Sequence, residues 1–286
     1  MNSTFPKIFV IILNFNGKAT LPNCLTSVFQ SDYSNFEIVV VDNNSTDESF
    51  EKAKLSFSRS HFIKNSENIG FSKGNNVGIR YALEKFADYV FVLNNDTILE
   101  KTTLSSLIQT AEKNPLAGII SPIILTNNNQ SVWFAGGKIQ WGKMKAIHLT
   151  EKISDSPYSS EYLSGCAMLI KKEVFKKIGL FDERFFLYYE DADFSLRSKK
   201  AGFELLIDPT TTIQHLEQSA VNDAKNYWLV LSGLLFFQTH SSIFWKVWLF
   251  CYLLLRKTKN FYSIHIKKDF SASKIHQAYK DFKKLY

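Results

Sequence analysis

A chain of 286 residues with 45% hydrophobic and 21% charged side chains can bury one large α/β core with a smaller appendix, and it excludes both disorder and a polytopic membrane protein. The net charge of +7 is no nucleic-acid footprint, because residues 256–286 carry nine Lys or Arg against two Asp, while the rest of the chain holds 25 of each sign. Cys24, Cys166 and Cys251 lie far apart with no CxxC pair, which fits a reducing compartment and argues against a disulfide framework or a zinc site.

A strand-like run, Ile8-Phe9-Val10-Ile11-Ile12-Leu13, begins almost at once, so no secretory leader is expected and the chain is expected in the cytoplasm. Apolar runs recur at 38–41 and 89–93, and each gives way to turn formers and then to helical spacing. Helices are expected at about 18–30, 47–57, 74–86 and 101–113. This alternation predicts βαβ units and an α/β fold whose mostly parallel sheet is covered by helices on both faces. Residues 117–170, with Gly136-Gly137, Gly142 and Gly165 among short β-prone pieces, predict hairpins that floor an active site. Helices are expected again at 171–179 and 190–201, with two short strands around Pro209 in 203–215.

The expected division is a catalytic domain over residues 1–220 and an apolar, basic helical appendix over 221–286. From Tyr227 to Leu255 the chain is markedly apolar, yet its longest unbroken run, Val247 to Leu255, is nine residues, against the roughly 20 that a spanning helix needs. Arg256, Lys257, Lys259, Lys267 and Lys268 follow directly. That order predicts an interfacial helix lying on the inner surface of the cell membrane; helices packed on the catalytic domain with solvated lysines are the alternative.

Five motifs carry chemistry. Val39-Val40-Val41-Asp42-Asn43-Asn44 is a buried strand ending in a carboxylate, where an open α/β sheet forms its ligand crevice, so Asp42 is a candidate nucleotide contact unless it only caps the next helix. Asn68-Ile69-Gly70-Phe71-Ser72-Lys73-Gly74-Asn75 is a glycine-bearing loop opening a helix; it suits anionic groups but is neither a GxGxxG fingerprint nor a P-loop. Leu93-Asn94-Asn95-Asp96 again ends a strand in an acid, and Asp96 could hold Mg2+ or Mn2+ together with a diphosphate. Glu190, Asp191 and Asp193 crowd a helix start amid aromatics, where a carboxylate can deprotonate an acceptor hydroxyl; Asp193 and Arg197 read as a plain helix salt bridge. Ile213-Gln214-His215 places an imidazole at a strand end, open to either a structural or a metal-ligand role.

Taken with the opening Asn14-Phe15-Asn16, these motifs resemble the family 2 glycosyltransferases of GT-A fold, nearest their bacterial rhamnosyltransferase branch and its galactofuranosyltransferase relatives, over about residues 5–220. The resemblance implies an inverting transfer from a nucleotide-sugar, foremost dTDP-L-rhamnose, to a saccharide or lipid-linked saccharide acceptor of bacterial surface polysaccharide. UDP-galactofuranose, UDP-glucose or UDP-N-acetylhexosamine are the other donors it allows, and a non-catalytic nucleotide-sugar binding subunit is the reading from another class. It implies that Asn14, Asp42, Asn44, Asn68, Gly70, Lys73, Gly74, Asn75, Asn94, Asn95, Asp96 and Gly165 serve the donor. It further implies that Asp191 is the base and that Tyr188 and Glu190 meet the acceptor. Asn94 stands where the family has the first acid of its DxD motif, so a second ligand for Mg2+ or Mn2+ is wanted beside Asp96. His215, 24 residues beyond the base, matches the galactofuranosyl relatives' ligand.

Overall fold

The computed structural model describes residues 5–126, 131–216, 223–268 and 271–285. The uncharged β-branched run at the start forms β1 (Ile8–Asn14), whose Ile8 to Ile12 are fully buried. The chain continues through α1 (Leu21–Phe29), β2 (Phe36–Asp42), α2 (Ser49–Ser56), β3 (His61–Lys64), α3 (Gly70–Glu84) and β4 (Tyr89–Asn94). β1 pairs parallel with β2 and with β4, in a register that sets Asn14 opposite Asp42 and Leu13 opposite Asn94. Three motif-bearing strand ends therefore lie side by side along one edge of the sheet, which is what positions the site.

The second half adds β5 (Thr97–Leu99), α4 (Thr103–Lys113), β6 (Ala117–Thr126), β7 (Val132–Phe134), β8 (Gly137–Gln140), β9 (Lys145–His148), β10 (Tyr158–Ser159), β11 (Ala167–Lys171), α5 (Lys172–Ile178), α6 (Glu190–Lys200) and β12 (Glu204–His215). The main sheet runs β10-β12-β6-β11-β4-β1-β2-β3, with β11 antiparallel to both its neighbours. Among the described residues only β8 and β9 make a separate hairpin; 117–126, expected as part of a hairpin region, is a long strand inside the main sheet. Residues 203–215 also differ from expectation. They form one strand, because Asp208 accepts hydrogen bonds from Thr110 Oγ1, Thr210 N and Thr210 Oγ1, which secures the irregularity at Pro209–Thr211 so that pairing with β6 resumes at Thr212.

Three helices close the chain: α7 (Asp223–His240), α8 (Ile243–His265) and α9 (Ser271–Leu285). The expected boundary at 220/221 lies outside the described residues. α7 buries Leu234, Leu235, Phe236 and Phe237 in the same core as the sheet. Among the described residues, no helix is long and apolar enough to cross a membrane.

Candidate active site

The strand ends are knitted together by amides. Asn14 is fully buried; its Nδ2 donates to Asp42 Oδ1 at 2.8 Å and to Ser49 Oγ at 2.9 Å, while its Oδ1 accepts from Asn95 Nδ2 at 2.9 Å. Asp42 also accepts from Ser45 N and Ser45 Oγ, so its carboxylate sits wholly inside the turn. Asn43 spans the next gap, donating to Asn68 Oδ1 and to the Gly70 carbonyl. Gly70 has φ +84°, and a Cβ there would lie 2.5 Å from the Phe186 carbonyl oxygen, so only glycine lets α3 start against the 186–190 loop.

Asp96 stands in the turn between β4 and β5. Antiparallel pairing of β5 with β12 sets His215 opposite Thr97, which carries the imidazole to the carboxylate across a long sequence gap. His215 Nε2 lies 3.3 Å from Asp96 Oδ1 without hydrogen-bond geometry, and that oxygen has no hydrogen-bond partner among the described residues. Adjacent ligands of an octahedral ion with bonds of about 2.1 Å are about 3 Å apart, so the pair fits two neighbouring positions on one divalent cation. No group of three His, Cys, Asp or Glu side chains gathers for a metal among the described residues.

A part of the pocket that the sequence motifs did not announce backs this pair. Trp133 of β7 lies edge-on to His215 at 4.6 Å and to His148 of β9 at 4.4 Å. Burial, then the neighbouring His215, pushes the His148 imidazole down to about 4, so it stays neutral. No local signal marks Trp133 or His148, because their strands reach the cleft only once the β8–β9 hairpin and β7 have folded against the main sheet.

The acid pair opens α6. Tyr188 and Tyr189 are both left-handed, with φ of 70° and 65°, a costly conformation for two successive aromatic residues and one that concentrates at functional sites. Asp191 Oδ2 accepts from Gly165 N at 3.0 Å and Oδ1 from Ala192 N at 2.7 Å. Glu190 is 5% exposed and its Oε2 has no hydrogen-bond partner among the described residues. Burial raises both carboxyls, Glu190 further, because the Asp191 charge adds to its burial while Asp191 is eased by the two N–H donors. Asp191 is therefore the member that ionises first, and Glu190 holds its proton to higher pH.

Asn68, Gly70, Asn94, Asn95, Asp96, Gly165, Tyr188, Glu190, Asp191 and His215 all line one cleft of about 550 Å3, joined by Phe15, Phe186 and Lys225. Asn14, Asp42, Asn44, Lys73, Gly74 and Asn75 do not line it. Asn14 and Asp42 are spent on each other and the turn, and Asn44 and Lys73 are exposed outside it. A Cβ on Gly74 would meet Leu13 at 2.4 Å, so glycine there serves helix-to-sheet packing; Asn75 is buried and donates to the Phe71 carbonyl. Asp193 is more than a helix salt bridge: it accepts from Arg197 Nε at 2.7 Å and pairs with His240 Nε2 at 2.8 Å, which ties α6 to α7.

Comparison with known proteins places the fold and the family. The chain is 27% identical over 215 residues to the dTDP-rhamnosyl transferase RfbF of Shigella flexneri, covering 75% of this chain and 70% of that one. It is 30% identical over 201 residues to the low-salt glycan biosynthesis hexosyltransferase Agl10 of Haloferax volcanii, covering 68% and 62%. Its fold matches the crystal structure of GalNAc-T7 with UDP, GalNAc and Mn2+ at a TM-score of 0.64 and 20% identity, over 81% of this chain and 48% of that one. This chain thus spans about half the length of that protein, and the likeness is one of GT-A fold. The family model for glycosyl transferase family 2 matches residues 9–179, which stops short of the acid pair and of His215. The chain belongs to glycosyl transferase family 2, on its rhamnosyltransferase-like branch.

Proposed function

We propose that this protein transfers L-rhamnose from dTDP-L-rhamnose, with inversion, to a saccharide or lipid-linked saccharide acceptor of bacterial surface polysaccharide, and that it requires Mg2+ or Mn2+. The observation that carries this reading is the meeting of the Asp96–His215 pair and the Glu190–Asp191 pair in one cleft. RfbF, named for the same donor nucleotide, supports the choice of sugar. Asp96 and His215 would hold the cation, which when bound neutralises the departing diphosphate. Asp191, ionised first of the acid pair, takes the acceptor hydroxyl's proton as that oxygen bonds to the anomeric carbon and the bond to the diphosphate breaks. Attack from the face opposite the leaving group inverts the centre. Glu190, protonated and with its Oε2 unpaired among the described residues, would orient the acceptor, with Tyr188 beside it.

The exposed apolar face of α8, with the lysines that follow, supports a peripheral position on the cytoplasmic side of the membrane. The reading is tested by offering the purified chain dTDP-L-rhamnose and the UDP-sugars with Mg2+ or Mn2+ and following nucleotide release. dTDP-L-rhamnose is expected to be consumed, and Asp191→Asn to slow transfer by about 10²–10⁴-fold while metal-dependent nucleotide binding persists. Turnover of a UDP-sugar alone would overturn the donor, and full activity in Asp191→Asn would overturn the base.

A further inference from the structure

A second cavity, of about 340 Å3, lies where α7, α8 and α9 meet β9. Its walls are Tyr189, Val230, Leu234, Phe237 and Ile275, an apolar and aromatic enclosure. Lys145 and Arg256 also line it, and among the described residues no acidic side chain does. Arg256 is half-buried and forms no ion pair with a carboxylate among the described residues. Its hydrogen-bond partners are two phenol oxygens: Nη1 donates to Tyr252 Oη at 2.8 Å and Nε to Tyr279 Oη at 3.3 Å. A guanidinium has five N–H donors, and these bonds leave donors directed to no protein carboxylate. A cation withdrawn from water without a countercharge is costly unless an anion joins it.

The position of the cavity ties it to the reaction. Leu229 lines both the cavity and the catalytic cleft, and Tyr189 in the cavity wall directly precedes Glu190. Gly233 of α7 allows the wall to close, since a Cβ there would come within 3.1 Å of the Tyr189 ring.

We propose that this cavity binds a phosphate or diphosphate ester of an apolar chain, with Arg256 on the phosphate and the chain against Val230, Leu234 and Phe237. The proposal rests on the glycosyl-transfer reading for its purpose. The ligand is the phosphorylated carrier of the acceptor, and anchoring it beside Leu229 presents the attached sugar to Glu190 and Asp191. Arg256 is thus a binding residue for the acceptor's phosphate and takes no part in the bond changes.

The test is calorimetric titration of the full chain with decyl phosphate below its micellar concentration, with decanol, and with inorganic phosphate. Decyl phosphate is expected to bind about tenfold or more tightly than either control, and Arg256→Gln to weaken it by about tenfold or more, whereas Arg256→Lys keeps much of the affinity. Val230→Trp, which fills the cavity with the guanidinium intact, is expected to abolish binding; thermal unfolding of each variant reports its folding. Equal binding of decyl phosphate by Arg256→Gln and wild type overturns the proposal. Inorganic phosphate binding as tightly as the ester, or decanol doing so, overturns it equally. Asp191→Asn is expected to bind decyl phosphate as wild type does, so loss of the catalytic reading and loss of this site register separately.

Discussion

α7 and α8 follow one another in the chain and share a composition rich in Phe, Leu and Trp, yet they occupy opposite environments. α7 buries Leu234 to Phe237; its Ser232 Oγ donates to the Leu187 carbonyl, and Trp228 stacks on Phe186 at 4.3 Å. Phe236 and Phe237 pack on Tyr189, and His240 reaches the buried Asp193. α8 leaves Ile243, Phe244, Val247, Phe250, Leu254 and Leu255 exposed, at spacings that form a continuous stripe. The contrast teaches that apolar content alone names no role. α7 meets the strained 186–190 loop and holds the acid pair in place, whereas the outer face of α8 meets no protein partner among the described residues.

Substitutions can break this contrast. Phe236→Ala removes a fully buried ring from the α7 side and is expected to cost about 3–5 kcal/mol in chemical denaturation, with transfer activity falling alongside; Phe250→Ala on α8 serves as the control that costs little. His240→Ala leaves Asp193 with Arg197 but strips its second partner, so a loss of about 1–3 kcal/mol is expected; an unchanged unfolding midpoint would show that α7 is held by packing alone.

A smaller effect sharpens the account of what α7 protects. Glu190→Gln mimics the protonated acid, and Glu190 still carries its proton while Asp191 ionises. The acid limb of the pH–rate profile is therefore expected to stay in place, and a move to lower pH would reverse the titration order. Because a buried carboxyl raised in the folded state costs stability as pH rises through and beyond the ordinary carboxyl range, the same variant is expected to melt higher than wild type at neutral pH. The smallest change in the fold is Phe250→Glu. It is expected to leave stability within about 0.5 kcal/mol but to reduce cosedimentation with vesicles containing anionic lipid. Removal of 256–286 is a poorer probe, because α9 packs on α7 and Asp281 accepts a hydrogen bond from Tyr227 Oη.

The strand ends that edge the cleft were legible because their signals are local. The apolar runs 38–41 and 89–93 lead into Asp42 and, two residues past the end of β4, into Asp96, and these carboxyl ends converge by the ordinary logic of a parallel sheet. β3 was not legible: three half-buried residues and an exposed lysine at the sheet edge carry too little pattern to be told from loop. Trp133, His148 and Lys225 were equally silent, since nothing in their neighbours states what they will face. The expectation for Asp193 and Arg197 stopped at the helix they share, and the third partner, His240, comes from another element.

The sequence by itself determined the α/β class, the strand-end acids, the acid-rich start of α6 and the placing of the charge excess in the last helices, because each depends on residues near one another in the chain. The tertiary structure alone decided that His215 reaches Asp96, that Leu234 to Phe237 of α7 are buried while one face of α8 is exposed, and that Arg256 faces a cavity with no carboxylate in its lining among the described residues. Those outcomes depend on strand register and helix packing between distant segments, and their free energy exists only once the partners have met.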